Sequence, residues 1–448
     1  MKVIAAMADH PVAPEFVDTE HYPVSAPPVV GRKREPQTAT ALPRAAEQQR
    51  RGVLAYVDPY LAAIVVVLLA VGGMMVYSTT FDWGYQDFGN PAALFFNQFR
   101  WILIGVGVAI FFMLIDYRVW RRFAVPLLLV AISALVAVWL FSDQRFGARR
   151  AFLNGSYQPS ELAELTIVVY MSAWLSAKNA RLGSLTRGLL PFGVIVGTVA
   201  FLVILQPDLS AALMVVAVAG LMYIIAGANL WHLGVILLLL VSAVITADRA
   251  GLLPEYAQER IVDFSAGLTD VTQTSYQTQQ AMIAFMNGGW FGRGLGNGLQ
   301  KYGPLPAPHT DSIFATIGEE LGVVGAGVVI ALYLAFVLRG LYISRRAPDS
   351  FGTLLAAGVA LWVGLKALLN ISVNLNLLPQ TGSPLPFISY GGSSLLSLMV
   401  GVGLLLSVVR VTAKQAANPK RKNPSANLNR GWWNRGTRVS GTGYRRSD

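Results

Sequence analysis

The 448-residue chain is 54% hydrophobic and only 13% charged, with a mean hydropathy of +0.51 and a formal net charge of +11. A soluble domain carries about twice that charged fraction, so the composition describes a polytopic membrane protein. There is no cysteine and there are four histidines (His10, His21, His232, His309), which excludes disulfides and thiolate metal sites and leaves no basis for a histidine zinc cluster.

In chain order, residues 1–56 are polar, rich in Pro and Ala, and carry Arg32-Lys33-Arg34 and Arg50-Arg51. No cleavable signal peptide is visible, and the segment reads as a disordered basic tail. Ten apolar stretches of bilayer-crossing character follow, at 58–78, 99–115, 123–141, 161–177, 189–205, 210–227, 230–247, 313–338, 351–375 and 392–411. Residues 413–448 form a second basic tail. An even number of spans puts both termini on one side. Both tails, Arg118/Arg121/Arg122, Lys178/Arg181/Arg187 and Arg339/Arg345/Arg346 fall on that side, which the positive-inside rule makes cytoplasmic. The positive charge then suits an anionic inner leaflet better than nucleic acid. The expected fold class is an all-α polytopic membrane protein of about ten transmembrane helices in the plasma membrane. Its membrane domain covers 57–412, with a large extracytoplasmic loop, 248–311, between helices 7 and 8.

Charge on the outer face carries the functional signal. The short loop Ser142–Glu161 holds Arg145, Arg149 and Arg150 where arginine is normally avoided, which points to an anionic substrate; arginines solvated by headgroups are the alternative. "QPSELAEL" (Gln158–Leu165) reads as a helix start with Pro159 in the first turn and Glu161 against the helix dipole. "LQPDLS" (Leu205–Ser210) places Asp208 at a second helix start, and "LPAPHTDSIFATIGEELG" (Leu305–Gly322) places Asp311 at a third. Capping by Thr310 or Asp311 accounts for part of the last motif. It does not account for His309, nor for Glu319 and Glu320 two turns further in. Carboxylates at membrane depth cost about 3 kcal/mol each and are functional or paired. A helix extrapolated back from Glu319 brings it roughly to the side of Asp311, with Lys366 and the outer arginines as candidate ion-pair partners.

"PQTGSPLPFISYGGSS" (Pro379–Ser394) ends in Gly391-Gly392-Ser393-Ser394, whose backbone N–H groups suit a phosphate at a helix start; a serine-capped loop is the equal alternative. Two other patterns carry no argument. "GRGLGNG" (Gly292–Gly298) lacks the preceding strand of a dinucleotide fingerprint. Ser393, His309 and Asp311 have no spacing that establishes a hydrolase triad.

Taken together, "GARRAFLNGSYQPSE", "LQPDLS", "SYQTQQAMIAF…GGWFGRGLGNGLQKYGPLPAPHTDSIFATIGEELG" and "LLPQTGSPLPFISYGGSS" resemble the SEDS family (shape, elongation, division and sporulation proteins, the FtsW/RodA type), in order from about Val57 to Thr412. The resemblance implies a peptidoglycan glycosyltransferase that polymerises lipid II into glycan strands at the outer membrane face beside a class B penicillin-binding protein. It matches the family's essential aspartate to Asp311, its Gln-Pro-Ser-Glu motif to Gln158, Pro159, Ser160 and Glu161, and its Gly-Gly-Ser-Ser motif to Gly391, Gly392, Ser393 and Ser394. Asp311 is then the expected base at the acceptor hydroxyl, and Arg149 and Arg150 the clamp on the leaving pyrophosphate. Lys301, His309, Thr310, Glu319, Glu320 and Ser389 complete the expected substrate-binding set, with Arg260 and Arg293 as weaker candidates. A divalent cation (Mg or Mn) could share the pyrophosphate, although no metal-ligand spacing demands one.

The chain departs from the family pattern at Ala307 (commonly Glu), Ser312 (Phe), Glu164 (Lys), Ala151 (Trp), Ser210 (Gly) and Lys366 (Gln). Glu164 and Lys366 are of opposite charge and could compensate each other. Two further readings stand beside the glycosyltransferase: a lipid II flippase using the deep charges, and a non-catalytic scaffold. A role in division or in elongation is equally open.

Overall fold

The computed structural model describes residues 57–141, 158–177, 183–229 and 273–417, and parts of 231–270. Residues 1–56 and 418–448, and Arg145, Arg149 and Arg150, lie outside the described residues. Among the described residues the secondary structure is helical, without strands: α1 Pro59–Phe88, α2 Ala93–Leu114, α3 Arg118–Phe141, α4 Pro159–Leu175, a π-helical turn Leu185–Leu189 leading into α5 Leu190–Ile204, α6 Leu209–Ile225, α7 Glu255–Gly267, α8 Tyr276–Gly288, a 3-10 turn Gln300–Tyr302, α9 Ile313–Arg346, α10 Ser350–Asn374 and α11 Gly392–Ala417.

Among the described residues, seven helices are long and apolar enough to cross a membrane: α1, α2, α3, the turn with α5, α9, α10 and α11. Each coincides with an expected span. The expected spans 161–177 and 210–227 appear as the 17-residue helices α4 and α6. The residues described between 231 and 249 are helical as well. The stretch expected as a large loop holds α7, α8 and the 3-10 turn, and α11 continues to Ala417, into the stretch expected as a tail.

In α10 and α11, 78% and 67% of the most apolar stretch is buried, against 22–39% in the other five long helices, so these two lie at the centre of the bundle together with the largely buried α4. Trp362 of α10 is fully buried there, with Leu405 and Val408 of α11. The helices outside present Val, Leu, Ile and Phe outward, as lipid-facing surfaces do.

The helix ends sort into two poles. At one, Asp58 caps α1 by accepting from the Leu61 N–H (3.0 Å) and also accepts from the guanidinium of Arg339 near the end of α9 (2.7 and 3.0 Å). Asp349 caps α10 at the same pole, accepting from Gly352 (2.8 Å), Tyr117 (2.6 Å) and Arg118 (2.8 Å). Burial opposes ionisation of Asp349, but these donors hold its carboxyl below the usual range. At the other pole stand the starts of α4, α6, α9 and α11 and the end of α10, brought together by the bonds described below.

One expected span is not continuous. Within α9, Gly322 adopts φ 70° and ψ −172°, a conformation open to glycine, and splits a short Ile313–Leu321 helix from the long segment that follows. The residue before the helix, Ser312, is its N-cap position and makes no side-chain cap bond. Asp311 therefore lies ahead of the helix, and the extrapolation that brought Glu319 to its side does not hold.

Candidate active site

At the second pole an open cleft of about 480 Å³ is lined by Asp311, His309 and Thr310 ahead of α9, Gln158 and Glu161 of α4, and Gly391–Ser394 at the start of α11. Asn97, Trp101, Gly382, Pro384 and Tyr390 complete the wall. Three motifs spread over more than 200 residues of sequence thus meet in one polar site.

The segment carrying Asp311 is held through three successive carbonyls. His309 O accepts from the Tyr390 N–H (2.9 Å), Thr310 O from the Ser389 hydroxyl (2.6 Å), and Asp311 O from the side-chain amides of both Asn370 and Asn374 (2.9 Å each). Ser389 is itself fixed, because its Oγ accepts from the Leu385 N–H (2.8 Å), and Asn370 also donates to Ser383 O (2.7 Å). Partly buried backbone acceptors satisfied from three directions leave this turn little freedom, the preorganisation an acid or base group requires. Ser312 adds a fourth tie by donating to Pro306 O (2.8 Å).

His309 sits between two rings, that of Trp83 at the end of α1 (centroids 4.8 Å apart) and that of Tyr390 (6.0 Å, edge-on). Burial there pushes its pKa down to about 4, so the imidazole is neutral at physiological pH. Tyr390 is steadied by Asn97, whose amide donates to its hydroxyl (2.6 Å).

The Gln-Pro-Ser-Glu segment is organised by Asp208. Its carboxylate accepts from Gln158 (2.8 Å) and Ser160 (3.2 Å) of α4, and from the Ser210 hydroxyl (2.9 Å) and Ala211 N–H (3.1 Å) at the start of its own helix. Of the three expected acid caps, Asp208 caps a helix. Glu161 instead accepts from Ser393 at the cleft (3.2 Å) and from Lys366 beneath it (3.5 Å). Lys366 also meets Glu164 at 3.1 Å, so the two opposite-charge departures from the family pattern do face each other. At Gly392 the first turn of α11 packs on the indole of Trp101; a Cβ there would lie 2.8 Å from Cδ2 and 2.9 Å from Nε1.

Three expected binding residues are placed elsewhere. Glu320 is fully buried and accepts from Lys301 (2.6 Å), the Ser78 hydroxyl (2.7 Å) and the Gly296 N–H (3.1 Å). Glu319 accepts from the N–H groups of Leu299 (3.0 Å) and Gln300 (3.1 Å). Both acids thus secure the 289–302 loop to the short helix, and neither they nor Lys301 line the cleft. Among the described residues the cation paired with Glu320 is Lys301, not Lys366. Ser160 and Ser389 lie behind the cleft wall, bonded as described. Arg149 and Arg150 lie outside the described residues.

The sequence reading missed Asn97, Trp101, Asn370, Asn374 and Tyr390. Asn370 and Asn374 stand four residues apart in an apolar span, a spacing that puts two polar groups on one helix face and was a usable signal. Among the described residues no group of three or more His, Asp or Glu side chains is arranged to hold a metal ion.

These features define a multi-pass membrane protein, all-helical where described, with a rigidly built polar cleft at one pole of its bundle. The family model for FtsW/RodA/SpoVE, described as cell cycle protein, matches residues 59–414. The chain belongs to this family. The probable peptidoglycan glycosyltransferase FtsW of Geobacter sulfurreducens is 37% identical over 359 residues, covering 78% of this chain and 94% of that one. Stage V sporulation protein E of Bacillus subtilis is 34% identical over 363 residues, covering 79% and 97%. Among solved structures, a chain from "Structural coordination of polymerization and crosslinking by a peptidoglycan synthase complex" superposes with a TM-score of 0.65 at 27% identity, covering 80% of this chain and 98% of that one. The rod shape determining protein RodA of Thermus thermophilus superposes with a TM-score of 0.58 at 25% identity, covering 79% and 97%.

Proposed function

We propose that this chain is a peptidoglycan glycosyltransferase that polymerises lipid II into glycan strands, with Asp311 as the base. The observation that carries the reading is the turn at Asp311, fixed through three carbonyls at the wall of an open polar cleft where the motifs of α4 and α11 also converge. Polymerisation transfers an anomeric carbon from pyrophosphate to the 4-hydroxyl of the acceptor sugar with inversion. It needs a base at that hydroxyl and positive charge or N–H donors on the leaving group. Asp311 fits the first need. For the second, the first turn of α11 at Gly392–Ser394 offers the N–H groups of a helix N-terminus, and Arg149 and Arg150 are the proposed clamp. Gln158, Glu161, His309 and Thr310 would bind the sugars and headgroup around it. A divalent cation on the pyrophosphate fits this scheme without a dedicated protein site.

The cleft pole is proposed as the outer face, and both termini as cytoplasmic. The opposite pole carries Arg118, Arg121, Arg122, Arg339, Arg345 and Arg346, in keeping with the positive-inside rule. A class B penicillin-binding protein is the proposed partner that crosslinks the product. The flippase reading is weakened by the pairing of its candidate charges: Glu164 faces Lys366, and Glu320 faces Lys301. The test is a gel assay for glycan strands from lipid II with the purified chain and its transpeptidase. Wild type is expected to make polymer and Asp311→Asn none; polymer at the wild-type rate from Asp311→Asn rejects the assignment.

A further inference from the structure

The floor of the cleft is continuous with an ion cluster buried in the bundle. Glu161 and Glu164 stand three residues apart on α4, on one helix face. Lys366 reaches both from α10, at 3.5 Å and 3.1 Å. Trp362, one turn earlier on α10, donates its indole N–H to the Glu164 oxygen that Lys366 also meets (2.7 Å). The side chains of all three charged groups are at most 6% exposed. Glu161 alone of the three lines the cleft, and its two oxygens do separate work: Oε1 faces Lys366, and Oε2 accepts from the Ser393 hydroxyl in the first turn of α11 (3.2 Å).

A buried carboxylate keeps one orientation only if its oxygens are held by donors, and a lysine is the strongest available donor in such a place. The cluster has two carboxylates and one ammonium. Glu164 has a second donor in Trp362, whereas Glu161 divides its bonds between Lys366 below and Ser393 above. Loss of the lysine therefore releases Glu161 more than Glu164. The next element to move is Ser393, and with it the α11 turn that is packed on Trp101 at Gly392.

Building on the proposed glycosyltransferase reading, we infer that Lys366 is a positioning residue for substrate binding: through Glu161 it sets the Ser393 hydroxyl and the first turn of α11 against the anionic headgroup. Glu164 and Trp362 hold the lysine in register from the far side. Lys366 touches no reacting atom, so its loss weakens binding without disabling the base. Asp311, held independently by Asn370 and Asn374, keeps its place.

The inference is tested by steady-state lipid II polymerisation with wild type and three variants, each checked for monodispersity and thermal stability in detergent. Lys366→Met is expected to raise KM about tenfold, the loss of roughly one charge-assisted hydrogen bond, with kcat within about threefold of wild type. Because that variant leaves two buried carboxylates without a cation and can fail to fold, Glu164→Gln with Lys366→Gln removes the ion pairs together and is expected to fold with the same raised KM. Glu164→Lys with Lys366→Glu returns a cation three residues from Glu161 and is expected to bring KM back to within about threefold of wild type. A folded double-glutamine variant with wild-type KM overturns the inference, as does a folded charge-swapped variant whose KM stays raised. A wild type that makes no polymer overturns the glycosyltransferase reading and this inference with it.

Discussion

The cleft around Asp311 and the clamp around Glu320 are built from one short stretch of chain, on either side of the first turns of α9. In the clamp the acid is fully buried and its oxygens accept from a lysine, a hydroxyl and a backbone N–H, an arrangement that joins the 289–302 loop to the helix break at Gly322. In the cleft neighbouring elements hold the backbone around the acid, and the residue lines an open, polar space. Sequence proximity and identical chemistry thus give one acid that binds structure and another placed to act on a ligand. Burial of the one and the place of the other at the cleft separate them. A carboxylate saturated by its own protein contributes stability. One whose main chain is saturated and whose side chain borders a cavity contributes reactivity.

The contrast is broken most directly at Asp311. Asp311→Asn is expected to lower the polymerisation rate by about 10²–10⁴-fold, the worth of a general base, while its melting temperature in detergent stays at the wild-type value. A comparable loss of melting temperature would make Asp311 a structural acid like Glu320. At the clamp the outcome reverses. Lys301→Met leaves Glu320 buried without its cation and is expected to cost about 3–5 kcal/mol of stability, read as a large fall in melting temperature. The activity of the protein that remains folded should be close to wild type. Lys301→Met combined with Glu320→Leu removes both charges and should recover most of the loss.

A smaller effect sharpens the cleft side. Asn370→Ala with Asn374→Ala removes both donors to Asp311 O, leaving an unsatisfied buried acceptor worth about 1–3 kcal/mol. Turnover is expected to drop about tenfold as the base loses its register, with KM changed less than kcat. The smallest effect is the pH response of His309. Its pKa is lowered from 6.5 to about 4 by burial, so the unfolded chain binds the proton more readily than the folded one. Stability is therefore full above about pH 6.5 and declines as pH falls toward 4, by on the order of 1–2 kcal/mol between pH 7 and 5. His309→Gln should flatten that slope in thermal melts taken across this range, and an unchanged slope would place the titrating group elsewhere.

Much of this architecture was legible before any coordinates. Apolar stretches of bilayer length located the seven long helices, because membrane solvation leaves the backbone almost no alternative. The cleft was legible as a set of motifs, since acids at helix starts and a Gly-Gly-Ser-Ser turn are costly in a membrane chain unless they serve something. The break at Gly322 was not legible: a glycine in an apolar run is tolerated in a continuous helix, and its positive φ follows from the close packing of Gly292 and Trp290 against it. The distance of Glu319 and Glu320 from Asp311 has another cause: the helix starts only at Ile313, so Asp311 does not share its face. The spacing of Asn370 and Asn374 marked a polar helix face, but not that their amides serve a backbone carbonyl on another element. The facing of Glu164 and Lys366, by contrast, could be anticipated from charge alone, since two opposite charges in an apolar bundle stabilise each other more than either does unpaired.

The central claim, that one acid of this stretch acts on substrate and the other holds the fold, is tested most directly by glycan-strand synthesis from lipid II by Asp311→Asn and Glu320→Gln proteins. Both are purified with the transpeptidase partner and normalised to the folded fraction. The account predicts no detectable strands from Asp311→Asn at wild-type melting temperature, and strands at near wild-type rate from the folded part of a destabilised Glu320→Gln. Strands from Asp311→Asn at near the wild-type rate, or their loss from well-folded Glu320→Gln, would contradict it.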